Sequence, residues 1–153
     1  MLFDTNILID WSKNYPEALA ELAYWDGPAI SAITWMELYG GANADEIPRF
    51  DAFMAEFGLE IIEIDAEIMQ AAAALVAERR RIGPKISLPD AIIAATAKIK
   101  GLTLITRNTK DFKGPNVRVP YRLETSITVR IVDVSPPGET PTSGTRPTLT
   151  RKK

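Results

Sequence analysis

The stretch MLFDTNILID, residues 1–10, decides the fold, because an apolar segment, a polar turn and a second apolar segment follow one another within it. The segment 1–3 predicts a short buried strand, Asp4-Thr5-Asn6 a turn, and 7–11 the first turns of a helix. Asp4 interrupts a run that otherwise favours burial, and a buried charge needs a partner or a metal ion. The stretch therefore predicts a strand-to-helix unit with an acid where the strand ends.

Strand-to-helix units recur along the rest of the chain. Apolar and alternating runs predict four further strands, at 29–33, 59–64, 102–105 and 117–119. Amphipathic runs predict helices at 16–25, 34–39 and 47–57, a long helix that Asp65 caps and that runs through Arg81, and a helix that Ser87 caps and Gly101 ends. Strands that alternate with helices favour a three-layer α/β/α fold around a mainly parallel sheet.

Four acidic residues stand where strand-to-helix units open: Asp4, Glu37, Asp90 and Asp111. In an open parallel sheet the carboxyl ends of the strands border one crevice, so acids beyond those ends meet although they are distant in sequence. Four carboxylates in one crevice repel one another unless a divalent cation lies among them. The pattern indicates a site for Mg²⁺ or Mn²⁺, which prefer oxygen ligands.

Each acid also has an ordinary structural explanation when taken alone. Asp4 suits an Asx-turn at the end of a strand. The segment Thr34-Trp-Met-Glu37 matches a helix capping box, and Asp90 in a first helical turn complements the helix dipole. Asp111 suits a solvated loop. The coincidence of four acids at four such positions is what favours a common site.

The absence of histidine and cysteine narrows the chemistry. Imidazole bases, Ser-His-Asp triads, cysteine nucleophiles and ordinary zinc sites are all excluded. Hydrolysis by this chain must therefore use carboxylates, hydroxyls, lysine or a metal-bound water.

The 153 residues suit one domain, predicted here at 1–121. Within 122–134 the alternating run ITVRIVDV predicts one further strand at the sheet edge. Residues 135–153 are rich in Pro, Thr, Ser and Gly with a basic end, which predicts a disordered tail.

Charge is distributed unevenly between the two ends of the chain. Residues 1–120 hold 12 Lys and Arg against 17 Asp and Glu, a balance of −5, whereas residues 121–153 hold 6 against 3, a balance of +3. An acidic body is not typical of a passive nucleic-acid binder. The start of the chain does not match a signal peptide, and no apolar run approaches the ~20 residues of a membrane span, so we expect a cytoplasmic protein without membrane association.

Four segments together resemble one family: LFDTNILID, ISAITWMELYGGA, ISLPDAIIAATA and LITRNTKDF. They are similar to segments of the PIN-domain ribonucleases and, among these, of the VapC-like toxins of toxin–antitoxin pairs. The resemblance covers residues 1–121. It implies a PIN-like fold, a Mg²⁺- or Mn²⁺-dependent endoribonuclease, RNA as substrate, a homodimer and a cognate antitoxin protein.

The resemblance also implies roles for individual residues. Asp4, Glu37 and Asp90 would be the core acidic ligands, and Asp111 would occupy a more variable fourth position. Polar residues around them would orient the carboxylates: Thr5, Asn6, Thr106 and Asn108. Basic residues are candidates for contact with the RNA backbone, although the arginine run also suits a solvated helix end: Arg79, Arg80, Arg81, Lys85 and Arg107.

Two other functional interpretations compete with that of a nuclease. A non-catalytic PIN-like scaffold would bind RNA or protein without cleaving it. A receiver-like domain would bind Mg²⁺ and be phosphorylated on aspartate, but it would need paired acids after the first strand, where only Asp4 stands. The sequence leaves the RNA target open.

Overall fold

The protein is an α/β fold around one parallel sheet. The computed structural model describes residues 1–124 and 130–135, with the side chains of 130–133 excepted. Five strands form the sheet in the order β3-β2-β1-β4-β5, and every pairing in it is parallel. The strands are β1 (Leu2–Phe3), β2 (Ala29–Ser31), β3 (Glu60–Ile62), β4 (Leu104–Ile105) and β5 (Val117–Arg118).

Six helices flank this sheet within the described residues: α1 (Thr5–Ser12), α2 (Pro16–Tyr24), α3 (Ala32–Gly41), α4 (Glu46–Glu56), α5 (Ala66–Ile82) and α6 (Leu88–Ile99). The two predicted N-caps are confirmed. The Asp65 carboxylate accepts a hydrogen bond from the Ile68 N–H at 2.9 Å, and the Ser87 hydroxyl accepts one from the Asp90 N–H at 3.2 Å. Such bonds satisfy amides that the first helical turn leaves without partners.

The core lies on both faces of the sheet, because successive strand residues point to opposite sides. Phe3 packs with Ile7, Leu22 and Phe53 from α1, α2 and α4. Its neighbour Leu2 packs instead with residues that include Ile93 of α6 and Phe112. The predicted three-layer α/β/α class is confirmed.

Strand β1 lies at the point where the strand order reverses. The chain runs outward from β1 through β2 to β3, and then returns to place β4 on the other side of β1. In open parallel sheets the crevice beyond the carboxyl ends at such a reversal is the usual ligand site. Asp4 follows β1 and therefore stands at that crevice.

The predicted extra strand takes a different place from the one expected. Residues Arg130–Val134 form β7, which pairs antiparallel with β6 (Tyr121–Glu124) in a separate two-stranded sheet. The Ser135 N–H donates to the Pro120 carbonyl at 2.7 Å, which extends the pairing of this hairpin beyond the Tyr121–Val134 pair. The start of the predicted strand at 127–129, and the predicted disordered tail beyond Ser135, lie outside the described residues.

Within the described residues, no helix combines the length and the apolar character that crossing a membrane requires.

Candidate active site

Asp4 is the most deeply buried of the four candidate acids, with 3% of its surface exposed. Its Oδ2 accepts two short hydrogen bonds, from the Thr106 hydroxyl and from the Asn6 side-chain amide, both at 2.6 Å. Thr106 directly follows β4, so one of these bonds ties the end of β1 to the end of its neighbouring strand. An Asx-turn alone would not require a partner across the sheet.

The protonation of Asp4 reflects its surroundings. Burial raises the pKa of Asp4 to about 6, and the nearby carboxylates of Asp90 and Glu37 push the pKa in the same direction. Hydrogen bonds from the Thr106 hydroxyl and the Thr5 backbone act in the opposite direction. Among the causes of this raised pKa, Asp90 and Glu37 are the two acids whose charge opposes the ionisation of Asp4.

Glu37 lies on α3. That helix begins at Ala32 with Ser31 as its N-cap residue, so Thr34 is buried inside the helix and does not cap it. The capping-box explanation of Glu37 is therefore wrong. Glu37 is exposed, and its Oε2 accepts a hydrogen bond from the Thr5 hydroxyl at 2.5 Å. This bond joins α3 to the residue that directly follows Asp4.

Asp90 lies in the first turn of α6 and is half-buried. The Asp90 Oδ2 accepts a hydrogen bond from the Ser87 hydroxyl at 2.5 Å. The backbone N–H of Asp90 in turn donates to the hydroxyl oxygen of Ser87. The local cap therefore also fixes the carboxylate. Asp90 therefore takes part in the start of α6 and also opposes the ionisation of Asp4.

Asp111 is linked to Asp4 by a chain of hydrogen bonds. It exchanges two hydrogen bonds with Asn108: the Asn108 amide donates to Asp111 Oδ2 at 2.9 Å, and the Asp111 N–H donates to Asn108 Oδ1 at 3.1 Å. The Asn108 N–H in turn donates to the Thr106 hydroxyl at 2.9 Å. Within the described residues, the hydrogen bonds thus link Asp111 to Asp4 only through Asn108 and Thr106.

The oxygen donors at this site are of the chemical type that a hard divalent cation prefers. The site offers carboxylate oxygens, and the charges of Asp90 and Glu37 oppose the ionisation of the buried Asp4. A bound divalent cation would compensate this repulsion. Each core acid instead bonds to a neutral hydroxyl, and in the described part of the chain no group of three acids is already arranged to hold one ion. The residues fit a metal ion by chemistry, and their side chains would have to turn towards it.

A buried ion pair between Asp10 and Arg107 supports Asp4 through Asn6, and it was not predicted from the sequence. Asp10 is buried, with 1% exposed, and accepts hydrogen bonds from Arg107 Nε at 2.5 Å and Nη2 at 2.9 Å and from the Tyr121 hydroxyl at 2.9 Å. The Arg107 N–H donates to Asn6 Oδ1 at 3.2 Å, and Asn6 holds Asp4. Asp10 interrupts the apolar stretch MLFDTNILID, and that was the available signal.

A second buried ion pair joins α2 to β5. Arg118 Nε and Nη2 donate to the Glu21 carboxylate at 2.7 and 3.0 Å, and both residues are almost fully buried. The Trp25 indole N–H donates to the same carboxylate at 2.8 Å, and Arg118 also donates to the Ser135 carbonyl at 3.1 Å. This pair anchors the β6–β7 hairpin and takes no part in the acidic site.

The predicted basic residues fall into two groups. Arg107 uses its Nε and Nη2 to hold Asp10, which gives it a positioning role. The residues of the other group lie at the end of α5 and after it. Arg80, Arg81 and Lys85 are exposed, whereas Arg79 is half-buried and donates through Nε to the Pro84 carbonyl at 2.6 Å. Contact of these side chains with RNA stays a prediction.

Sequence and structure comparisons place this fold in a known class. The PIN domain family model matches residues 1–115, and the chain belongs to that family.

Named relatives make the class more specific. The chain is 30% identical to a tRNA(fMet)-specific endonuclease VapC of Shigella flexneri over 117 residues, which are 73% of this chain and 89% of the relative. It is 34% identical to a ribonuclease VapC1 of Methanocaldococcus jannaschii over 113 residues, 74% and 79% of the two chains. A toxin–antitoxin complex from Klebsiella pneumoniae superposes with a TM-score of 0.66 and 44% identity, covering 79% of this chain and 98% of that one. The predicted resemblance to VapC-like ribonucleases is confirmed.

Proposed function

We propose that the protein is an endoribonuclease that depends on a divalent metal ion and acts as the toxin of a toxin–antitoxin pair. The observation that carries the proposal is the buried Asp4 at the strand-order reversal, whose pKa the carboxylates of Asp90 and Glu37 raise further. Relatives that are named as VapC endonucleases support ribonuclease chemistry, and a neighbour described as a toxin–antitoxin complex supports an antitoxin partner.

The site would hold Mg²⁺ or Mn²⁺ through Asp4, Glu37 and Asp90, with Asp111 as a fourth acid. Such an ion polarises a phosphoryl oxygen and lowers the pKa of water bound to it. The protein's own contribution is orientation. Thr106 and Asn6 hold one oxygen of Asp4, Thr5 holds Glu37, and Ser87 holds Asp90.

The absence of histidine supports this assignment, because imidazole is unavailable for proton transfer. Proton transfer then falls to carboxylates and water. We further propose RNA as the substrate, a homodimer as the assembly and a cognate antitoxin as the inhibitor.

Cleavage of RNA by the purified full-length protein tests the proposal. We expect cleavage with Mg²⁺ or Mn²⁺, none in EDTA, and a loss of at least ~100-fold for Asp4→Asn and for Asp90→Asn, since ligand carboxylates act together. Asp26→Asn is the matched control, because Asp26 is an exposed acid on the loop before β2. Cleavage that persists in EDTA, or a fully active Asp90→Asn protein, would contradict the mechanism.

One observation favours a second function, that of a non-catalytic scaffold. No three acids of the described residues are arranged to hold one ion as they stand. A scaffold would bind RNA or a protein partner and leave RNA intact with either metal. The same assay decides between them, because a scaffold retains binding in a gel-shift experiment and yields no cleavage products.

A further inference from the structure

A cavity of about 360 Å³ opens between α5, α6 and the segment that joins β4 to β5, and we call it the α5–α6 pocket. This volume falls in the range of ~300–1,000 Å³ that small-ligand sites occupy. Its lining is largely apolar and includes the half-buried Leu75 and Ala94 and two residues of the core, Leu104 and Phe112, of which 2% and 4% of the surface is exposed. Three cationic residues also line it: Arg79, Lys98 and Lys113.

The pocket lies along the same helix, α6, that carries Asp90 in its first turn. Asp90, Ala94 and Lys98 are spaced four residues apart on that helix, so they lie on one stripe of its surface. At 1.5 Å per residue, Lys98 stands ~12 Å along the helix axis from Asp90. Asp111, the fourth candidate acid, also lines the pocket. A chain-like ligand that spans ~12 Å along α6 would therefore be long enough to reach both Asp90 and Lys98.

The pocket rim is positive although the body is acidic. The described side chains form ion pairs at Lys100, Arg107 and Arg118, and none of these pairs involves Arg79, Lys98 or Lys113. The one acid of the lining, Asp111, is held by Asn108. The pocket therefore suits an occupant with a flat apolar group and neighbouring negative charges.

We propose that the α5–α6 pocket receives an unstacked nucleobase of single-stranded RNA, while the phosphates on either side of it contact Lys98, Lys113 and Arg79. The inference rests on the proposed ribonuclease function and assigns a substrate subsite to it. Proteins that bind single strands place bases against aromatic and apolar side chains and track the backbone with cations. The side-chain amide of Asn116, which also lines the pocket, offers a donor and an acceptor to a base edge.

Two substitutions test the pocket, and a third is the matched control. Ala94→Phe fills the pocket from a half-buried position, and Lys98→Ala removes one rim charge. Lys100→Ala removes a charge from just beyond the same helix, where the ammonium pairs with Asp65 at 2.8 Å outside the pocket. Binding of a labelled single-stranded RNA is measured by fluorescence anisotropy in EDTA, and cleavage is measured separately in Mn²⁺.

We expect Ala94→Phe to weaken RNA binding about tenfold, which corresponds to the loss of one stacked base. Lys98→Ala should weaken binding and reduce the slope of log affinity against log salt by about 0.7, the value for one phosphate contact on a single strand. Lys100→Ala should bind like the wild type. In cleavage assays the first two variants should raise KM more than they lower kcat.

Titration of the wild-type protein with adenosine monophosphate provides a second readout by NMR. Shifts at the amides of Gly101, Leu102 and Gly114 with the nucleotide, and weaker shifts with inorganic phosphate, would support base binding. If thermal melting shows that Ala94→Phe is not folded, the Lys98→Ala variant and this titration decide whether the pocket binds a base.

The outcomes separate the subsite from the proposed function. Wild-type cleavage together with unchanged RNA binding by Ala94→Phe and Lys98→Ala would overturn the subsite alone. If RNA binding is unchanged but Ala94→Phe has an altered mass in sedimentation, the pocket would instead contact a second copy of the protein. That result would also overturn the subsite. A wild-type protein that neither binds nor cleaves RNA would overturn both proposals.

Discussion

Asp4 combines deep burial with partners that carry no positive charge. Its oxygen accepts from a hydroxyl and an amide, and its neighbours Glu37 and Asp90 are acids. Ionisation of such a group is costly, because burial and like charges both favour its neutral form. In the metal-free protein this residue is a source of instability near neutral pH.

This instability predicts a pH dependence for the metal-free protein. The pKa of Asp4 lies at about 6 in the folded state, above its ordinary value of 3.8, so between these values the folded state binds more protons and stability falls as pH rises. About two pH units at ~1.4 kcal/mol each give a full loss of ~3 kcal/mol, of which ~2 kcal/mol falls between pH 4.5 and 7.5. Asp4→Asn should lack this loss and be the more stable protein at pH 7.5. Urea melts in EDTA at pH 4.5 and 7.5 measure the effect, and a stability gap between the two proteins that is the same at both pH values would contradict it.

Glu37 predicts a different response, because it is exposed and does not cap its helix. Glu37→Gln should leave the melting temperature in EDTA within about 2 °C of the wild type, since surface substitutions change stability by ~0.5 kcal/mol or less. Mn²⁺ should raise the melting temperature of the wild type and not that of the variant, because a ligand stabilises only the state that binds it. Glu56→Gln, an exposed glutamate at the end of α4, is the control and should keep the full Mn²⁺ response.

At the scale of elements, the buried network of Asp10, Arg107 and Tyr121 joins α1, the loop after β4 and strand β6. Asp10→Asn should lower the free energy of unfolding by ~3–5 kcal/mol, because it leaves a largely buried guanidinium without its counter-charge. Tyr121→Phe should cost less, ~1.5–3 kcal/mol, since it removes one hydrogen bond to a charged group. Denaturant melts of both variants test this order, and equal or reversed losses would show that Arg107 finds another partner.

The elements that sequence predicts well are those with local signals. Caps at Asp65 and Ser87 and the helices between glycine stops follow from residue spacing, and the structure confirms the caps and the fold class. The expectation that all four acids stand where strands give way to helices is wrong for three of them. Only Asp4 directly follows a strand, whereas Glu37 lies within α3, Asp90 begins a helix that follows α5, and Asp111 lies in the loop between β4 and β5.

Long-range pairing does not leave a local signal. The partners of Asp10 are 97 and 111 residues away, and Arg118 finds Glu21 across 97 residues.

The same limit explains two further corrections. Thr34 matches a capping box, but the helix begins two residues earlier because the short strand β2 ends at Ser31. The alternating run after residue 121 predicts a strand, but that strand pairs with β6, its neighbour along the chain, and not with the edge of the main sheet. Local pattern specified the element in both cases, and tertiary contacts specified its limits and its neighbours.

At the scale of the whole molecule, the acidic body ends in a hairpin that the core holds at two points. Tyr121 is buried with its hydroxyl on Asp10, and Arg118 donates to the Ser135 carbonyl. A protein that ends at Ser135 should therefore keep the melting temperature and the RNA cleavage of the full chain. A protein that ends at Arg122 should melt at least ~4 °C lower, because Tyr121 loses its pairing with Val134 and Arg118 loses the Ser135 carbonyl. Thermal melts and cleavage in one buffer compare the three proteins. Loss of cleavage on ending at Ser135 would show that residues 136–153 contribute to the reaction, and an unchanged melt on ending at Arg122 would show that the hairpin adds nothing to the stability of the body.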